Sequence, residues 1–156
     1  ATDPSVLARR VVELAQACKR IAAAQPPLVR ARLPCKIFGD THGQLRDVLL
    51  LFASFGAPSH KNAGDVELCS YVFNGDFIDR GEHQVALVAL LFALKALYPQ
   101  RIYLVRGNHE LRSTSERMGA TSFKAACSRA FPPNDAQEVY EACFGVFEWL
   151  PLAALV

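Results

Sequence analysis

The most constraining feature of the sequence is a short apolar run followed by a polar turn, which occurs three times between residues 35 and 110. A longer segment follows each turn, and the third of these segments begins after residue 110. Each short run has the length of a buried strand, and each longer segment has apolar residues at helical spacing. Strand, turn and helix in succession predict a parallel sheet with helices on its faces, because parallel strands need crossover connections. We therefore expect an α/β fold.

The boundaries of the predicted elements follow from the residues at their ends. Strands are predicted at residues 35–38, 68–73 and 101–105, and helices at 4–24, 44–55 and 82–98. Asp3 and Pro4 suit the start of the first helix, where an N-cap precedes a proline in the first turn. Residues 111–148 are predicted to be mostly helical, with an interruption at Pro132 and Pro133.

The length of 156 residues allows one domain. We divide it into an N-terminal helix and lead-in (1–34), the strand–turn–helix units (35–110), and a helical segment with a final buried strand (111–156). The apolar run at 147–156 predicts this strand, whereas most termini are polar and frayed. We therefore expect the sequence to be part of a longer polypeptide.

Composition excludes several classes of function. The 17 basic and 15 acidic residues give a net charge of +2, which provides no electrostatic footprint for nucleic acid or for a membrane surface. The sequence has no apolar run of bilayer-spanning length and no signal-peptide pattern. Its five cysteines are widely spaced without a CxxC pair, which is typical of reduced thiols, so we expect a cytoplasmic or nuclear protein.

A polar cluster follows each of the three predicted strands. Sites in open α/β sheets form at the carboxyl ends of parallel strands. Neighbouring strands lie about 4.8 Å apart, so three adjacent strand ends can bring such side chains to one or two metal ions. The clusters supply seven candidate functional residues: Asp40, His42, Asp76, Asp79, Arg80, Asn108 and His109.

The chemistry of these side chains predicts phosphoester hydrolysis. Carboxylate, imidazole and amide donors suit Mn, Fe, Zn or Mg better than a soft metal. Two ions about 3.5–4 Å apart can share a carboxylate and a hydroxide, which is then a nucleophile at neutral pH. Arg80 is a fork of donors suited to phosphate oxygens. His109 is suited to protonating a leaving oxygen, and Asp79 to orienting His109.

Each piece taken alone has an ordinary structural explanation. A Gly-Asp pair after a strand is often only a turn, and Arg80 alone would be a surface or helix-start ion pair. Glu110 is predicted to be a structural partner of the site and not a ligand. His60 and His83 are predicted to be solvated. The functional interpretation depends on the three clusters occurring together, each after a strand.

The clusters resemble the motifs of the PPP family of serine/threonine phosphatases. Residues 39–44 (GDTHGQ) resemble its GDxHGQ motif, and residues 75–81 (GDFIDRG) resemble GDxVDRG with isoleucine for valine. Residues 106–110 match its RGNHE motif, and residues 147–153 (FEWLPLA) resemble a further characteristic segment. The resemblance implies the calcineurin-like metallophosphoesterase fold, a β-sandwich flanked by helices, of which this sequence would carry the first half of the catalytic domain.

The resemblance also implies a binuclear centre of Mn, Fe or Zn ions. Asp40, His42 and Asp76 would bind the first ion. Asp76 would bridge to the second ion, which Asn108 would also bind. The family supplies two more histidines to the second ion, and a second phosphate-binding arginine, from its C-terminal half. This sequence has no histidine after His109, so the second site is expected to be incomplete and residues 1–156 alone are expected to have weak phosphatase activity or none.

The activity that the resemblance implies is hydrolysis of phosphoserine and phosphothreonine in proteins by attack of a metal-bridging hydroxide. Arg80, Asn108 and His109 would contact the phosphate, and His109 with Asp79 would form the general-acid pair. The expected partners are phosphoprotein substrates and either regulatory subunits or the C-terminal half. Two alternatives stay open: a small-molecule phosphoesterase of the same superfamily, and a non-catalytic interaction module with a truncated phosphatase fold.

Overall fold

The predicted alternation of strands and helices is present in the computed structural model, which describes residues 2–61 and 64–156. The strands are β1 (Leu28–Arg30), β2 (Cys35–Phe38), β3 (Ser70–Phe73), β4 (Ile102–Leu104) and β5 (Ala153–Leu155). The α-helices are α1 (Pro4–Ala23), α2 (Leu45–Phe55), α3 (Gln84–Leu97), α4 (Arg112–Arg117), α5 (Phe123–Ala130) and α6 (Pro133–Phe147). A short 3₁₀ helix, Gly119–Thr121, lies between α4 and α5.

The strands form two parallel sheets, of which the crossover pattern predicts the one that contains β2, β3 and β4. One sheet has the order β2-β3-β4, with Phe38 opposite Phe73 and Phe73 opposite Leu104. The other sheet pairs β1 with β5, with Leu28 opposite Ala153. The order β2-β3-β4 places the carboxyl ends of the three predicted strands side by side. The α/β class expected from the sequence is therefore confirmed.

The core lies on both faces of the three-stranded sheet. On one face, Tyr71 and Phe73 of β3 stack on Phe38 of β2, with ring centroids 6.1 and 4.7 Å apart. Phe52 of α2 packs edge to face on Tyr71 and Phe73, and α3, which contacts β4, belongs with α1 and α6 to the same apolar cluster. On the other face, Val72 of β3 packs with Val29 of β1. The alternation of side chains along β3 thus joins the helical layer to the smaller sheet.

The first helix begins where its capping residues predict. Asp3 accepts a hydrogen bond from the backbone N–H of Ser5 at 2.9 Å, and Pro4 occupies the first helical position. Ala15 and Cys18 are buried on the inner face of α1. Within residues 2–61 and 64–156, the helices are all too short or too polar to cross a membrane.

Two features differ from the sequence prediction. Strand β1 is not predicted, because it has three residues and its partner β5 lies at the far end of the sequence. Strand β5 forms, but in this chain its residues are not buried as expected: Ala153 is exposed, Ala154 is half-buried and Leu155 is 46% exposed. Among the described residues β5 pairs with β1 alone, and no described element covers its outer side.

Lys95 of α3 is a charged side chain inside the core. It is 1% exposed, and its Nζ donates to the carbonyl oxygens of Pro99 at 3.0 Å and Ile102 at 2.7 Å. Burial lowers the pKa of Lys95 to about 8, whereas an unfolded lysine titrates near 10.4. Between these values the unfolded chain holds a proton that the folded chain has released, so stability rises with pH in that window.

We expect the Lys95→Met variant to lose this pH dependence. Between about pH 8 and pH 10, the free energy of unfolding of the unsubstituted protein should rise by about 2 kcal/mol relative to the variant. Urea unfolding of both proteins across this range measures the difference. Methionine keeps the length and apolar stem of lysine, so parallel pH profiles for the two proteins would contradict the prediction.

Candidate metal and phosphate site

The carboxyl ends of β2, β3 and β4 bring three of the predicted residues together. His42 follows β2, Asp76 follows β3 and His109 follows β4, and their ligand atoms lie within 4.8 Å of one another. The two imidazole rings meet edge to face with centroids 4.7 Å apart. The backbone N–H of His109 donates to Oδ1 of Asp76 at 2.9 Å, which ties the third strand end to the second.

Asp40 and Asn108 lie at the same edge of the sheet, and both are exposed. Asp40 is not among the residues whose ligand atoms converge, although the sequence predicts it as a ligand. His109, predicted as an acid, lies among the converging donors instead. The ligand roles of Asp40 and Asn108 stay predictions.

The donor chemistry fits a divalent metal ion. Nδ1 of His42 lies 2.7 Å from the carbonyl oxygen of Ile78. A carbonyl only accepts, so Nδ1 carries the proton and Nε2 keeps a lone pair for a metal. Oδ2 of Asp76 makes no hydrogen bond with the described residues, which leaves that oxygen for a cation. Imidazole nitrogen and carboxylate oxygen are ligands that Mn, Fe and Zn accept.

Asp79 is a fully buried carboxylate that orients His109. Its Oδ2 lies 2.7 Å from Nδ1 of His109, and its Oδ1 accepts the Ser115 hydroxyl at 2.7 Å and the Phe123 N–H at 2.8 Å. Three donors compensate for the loss of solvent around this group. Because Nδ1 donates to Asp79, Nε2 faces the site, where it lies 3.4 Å from Nη2 of Arg80.

Glu110 ties two of the strand ends through their backbone. Its Oε2 accepts from the N–H groups of Asp76 at 2.8 Å and Gly107 at 2.9 Å, and its Oε1 accepts from the N–H of Phe77 at 2.8 Å. Burial raises the pKa of Glu110 to about 7, although the three N–H bonds act to lower it. The carboxylate faces backbone groups, which agrees with the predicted structural role.

The backbone of the site is left-handed at four residues that are not glycine. Their φ angles are +37° at His42, +52° at Asp76, +67° at Asp79 and +69° at Arg80, and no other non-glycine residue that the structure describes has a positive φ. Such a conformation costs about 1–2 kcal/mol per residue, so surrounding contacts must hold it. Strain of this kind concentrates at functional sites.

Two glycines allow the turns of the site to approach each other closely. A Cβ at Gly81 would overlap the carbonyl oxygen of His42, and a Cβ at Gly107 would overlap the carboxylate of Asp76. Any larger residue at either position would therefore displace a candidate metal ligand.

The site residues that sequence reasoning missed are those that hold the others in place. Ile78 and Phe123 act through backbone atoms, which residue type does not reveal. Ser115 reaches Asp79 across 36 residues of sequence, so no local pattern indicates it. Gln84 carries one usable signal, because it is a polar residue directly before the apolar run of α3.

Comparison with known protein families decides the classification. The family model described as calcineurin-like phosphoesterase matches residues 33–156, which is most of the sequence. The chain belongs to the calcineurin-like phosphoesterase family. The strand ends that carry His42, Asp76 and His109 all lie inside the matched range.

Relatives within this family confirm the resemblance to serine/threonine phosphatases. The chain is 38% identical over 146 residues to serine/threonine-protein phosphatase BSL2 of Arabidopsis thaliana, covering 94% of this chain and 14% of that protein. It is 39% identical over 120 residues to human serine/threonine-protein phosphatase 5, covering 77% of this chain and 21% of that protein. The chain thus spans less than a quarter of the length of these relatives.

A solved structure shows the same fold. It is a protein serine/threonine phosphatase from Saccharomyces cerevisiae, described as similar to human phosphatase PP5. The two match with a TM-score of 0.81 and 30% sequence identity, covering 95% of this chain and 44% of the yeast chain. The calcineurin-like phosphatase fold expected from the motifs is therefore confirmed for the part that this sequence covers.

Proposed function

We propose that the protein is a metal-dependent phosphatase that hydrolyses phosphoserine and phosphothreonine in proteins. The observation that carries the proposal is the position of Arg80 beside the His109–Asp79 pair, next to the converging ligands His42 and Asp76. Nη2 of Arg80 lies 3.4 Å from Nε2 of His109, so a phosphate-binding group and a proton donor can meet at one phosphate ester.

The metal ligands are assigned to two ions. His42, Asp76 and Asp40 would hold the first ion, and Asp76 and Asn108 would hold the second. When bound, these Mn, Fe or Zn ions supply a nucleophile from water at neutral pH and neutralise phosphate charge. Because the second ion has two ligands from this chain, we expect it to bind more weakly than the first. Its remaining ligands would come from outside residues 1–156.

The other side chains of the site bind the phosphate and supply the proton for the leaving oxygen. Arg80 presents its guanidinium fork to two phosphate oxygens, and the exposed amide of Asn108 binds a third. His109 delivers a proton from Nε2 to the leaving oxygen of the serine or threonine. Asp79 holds Nδ1–H of His109 at 2.7 Å and stabilises the charged imidazolium before the proton leaves.

The proposed substrates are phosphoproteins, in agreement with the proposed phosphatase activity. The two curated relatives are named serine/threonine-protein phosphatases, which supports phosphoproteins as substrates. Regulatory subunits or further residues of a longer polypeptide are the proposed partners. All five cysteines are unpaired, which supports a reducing compartment, the cytoplasm or the nucleus.

The proposal is tested by phosphate release from a phosphoserine peptide. We expect the purified chain to release phosphate when Mn²⁺ is present. The release should stop when a chelator is added and resume when Mn²⁺ is restored. Asp47→Asn, a change at an exposed carboxylate of α2, should leave the rate unchanged. Absence of turnover with one Mn²⁺ ion or none bound per chain would agree with an incomplete second site. Two bound ions without turnover would favour the interaction module, and a preference for a dinucleoside polyphosphate would favour the small-molecule phosphoesterase.

Arg80→Lys is expected to raise KM for the phosphopeptide about tenfold, with a smaller change in kcat. Lysine keeps the positive charge but loses the planar fork that binds two phosphate oxygens at once. Steady-state kinetics of the two proteins measure the effect. Arg9→Lys, the same change at an exposed position of α1, serves as the control. Equal KM values for the two variants would contradict a phosphate contact at Arg80.

A further inference from the structure

Gln84, the first residue of α3, is a fully buried amide whose side-chain donor and acceptor atoms all have partners. Its Oε1 accepts from the backbone N–H of Asp79 at 2.9 Å. Its Nε2 donates to the carbonyl oxygens of Gly81 and Thr121, each at 3.0 Å. The amide therefore bonds both ends of the 79–81 turn and joins that turn to the 3₁₀ helix.

The turn that Gln84 holds contains two consecutive left-handed residues, Asp79 and Arg80. The backbone N–H of Arg80 donates at 2.9 Å to the carbonyl oxygen of Thr121, which Gln84 also contacts. Residues with side chains occupy this conformation only when surrounding contacts hold them. Since the side chain of Arg80 is exposed, the backbone of this turn determines the direction in which it points.

Gln84 also contacts the loop that carries His42. A Cβ at Gly43 would lie 2.7 Å from Cγ of Gln84, which shows how closely the two segments pack. The N–H of His83, the residue before Gln84, donates to the carbonyl oxygen of Gly43 at 3.1 Å. The start of α3 is thus the junction between the loop of a candidate metal ligand and the turn of a candidate phosphate ligand.

We propose that Gln84 is a positioning residue, which holds the 79–81 turn so that the Arg80 guanidinium reaches phosphate. The inference rests on the proposed function, in which Arg80 binds phosphate. Gln84 is buried beneath the turn and acts through Asp79 and Arg80 rather than on the substrate. Its loss should weaken phosphate binding even though no group that touches phosphate has changed.

The experiment is a titration of the ¹⁵N-labelled chain with inorganic phosphate in Mg²⁺ buffer, followed by amide shifts at the site. Gln84→Met keeps the side-chain length and removes all three hydrogen bonds. We expect about tenfold weaker phosphate binding, the effect of about one net hydrogen bond. Gln137→Met, the same change at an exposed position of α6, should bind phosphate like the unsubstituted chain. Unchanged affinity in Gln84→Met overturns the proposal.

A double-mutant cycle separates positioning from general loss of structure. A lysine ammonium is a point charge, so its binding to phosphate depends less on the direction of the side chain than that of the arginine fork. In the Arg80→Lys background, Gln84→Met should therefore reduce phosphate affinity by less than about twofold. An equal loss in both backgrounds would mean that Gln84 acts on the fold as a whole, which overturns the proposal. If Gln84→Met does not fold, Gln84→Glu replaces it in the same cycle, because glutamate has the shape of glutamine.

Failure of the proposed function gives a different result. An unsubstituted chain whose amides do not shift with phosphate would overturn phosphate binding by Arg80. Hydrogen exchange at the Asp79 amide then tests Gln84 on its own, because that N–H bonds to Oε1 of Gln84. Faster exchange of this amide in Gln84→Met would support the proposal that Gln84 holds the 79–81 turn, and unchanged exchange would overturn that proposal.

Discussion

Asp76→Asn is expected to weaken Mn²⁺ binding by at least about 100-fold and to abolish phosphopeptide turnover. Loss of a group that merely supports a ligand typically costs 10–100-fold in metal affinity, so loss of a charged ligand should cost more. Asp76 is the one carboxylate among the three residues whose ligand atoms converge. Asparagine keeps an oxygen that can accept the N–H of His109, so the fold should survive the change.

Electron paramagnetic resonance of free Mn²⁺ measures this affinity directly and does not depend on turnover. Asp47→Asn, which removes an exposed carboxylate of α2, should bind Mn²⁺ like the unsubstituted chain. A dissociation constant for Asp76→Asn within about tenfold of that chain would contradict the assignment of Asp76 as a shared ligand. Weaker binding together with retained turnover would contradict a metal-dependent reaction.

The part of the fold that the sequence predicts correctly is the part that local patterns determine. Strands β2, β3 and β4 are apolar runs followed by polar turns, and the helix after each of β2 and β3 has apolar residues at helical spacing. Because parallel strands end at one edge of a sheet, the polar clusters had to meet there. The convergence of His42, Asp76 and His109 follows from that rule and from residue type.

The parts that the sequence does not predict depend on contacts between distant residues. Strand β1 needs β5 as its partner, and Asp79 needs Ser115 and the backbone of Phe123 to stay buried. Apolar residues in β5 predict a strand but do not reveal what covers it, so burial could not be predicted from composition alone. The same limit applies to Asp40, because motif spacing places it at the sheet edge without determining the direction of its side chain.

Glu110→Ala is expected to lower the free energy of unfolding by about 4 kcal/mol, a large share of the 5–15 kcal/mol typical of a domain. The change leaves the N–H groups of Asp76, Phe77 and Gly107 without an acceptor. Each buried N–H without a partner costs about 1–3 kcal/mol. These N–H groups belong to the two turns that carry Asp76 and His109, so metal binding should fall together with stability.

Urea unfolding at neutral pH measures the loss, and a graded series shows its origin. Glu110→Gln keeps one acceptor oxygen and places an amide N–H₂ against a backbone donor. It should therefore lower the free energy of unfolding by about half as much as Glu110→Ala does. Glu138→Ala, at an exposed position of α6, should stay within about 0.5 kcal/mol of the unsubstituted chain. If Glu110→Gln and Glu110→Ala were both as stable as Glu138→Ala, the Glu110 carboxylate would not hold these turns. The left-handed backbone at Asp76 would then need another support.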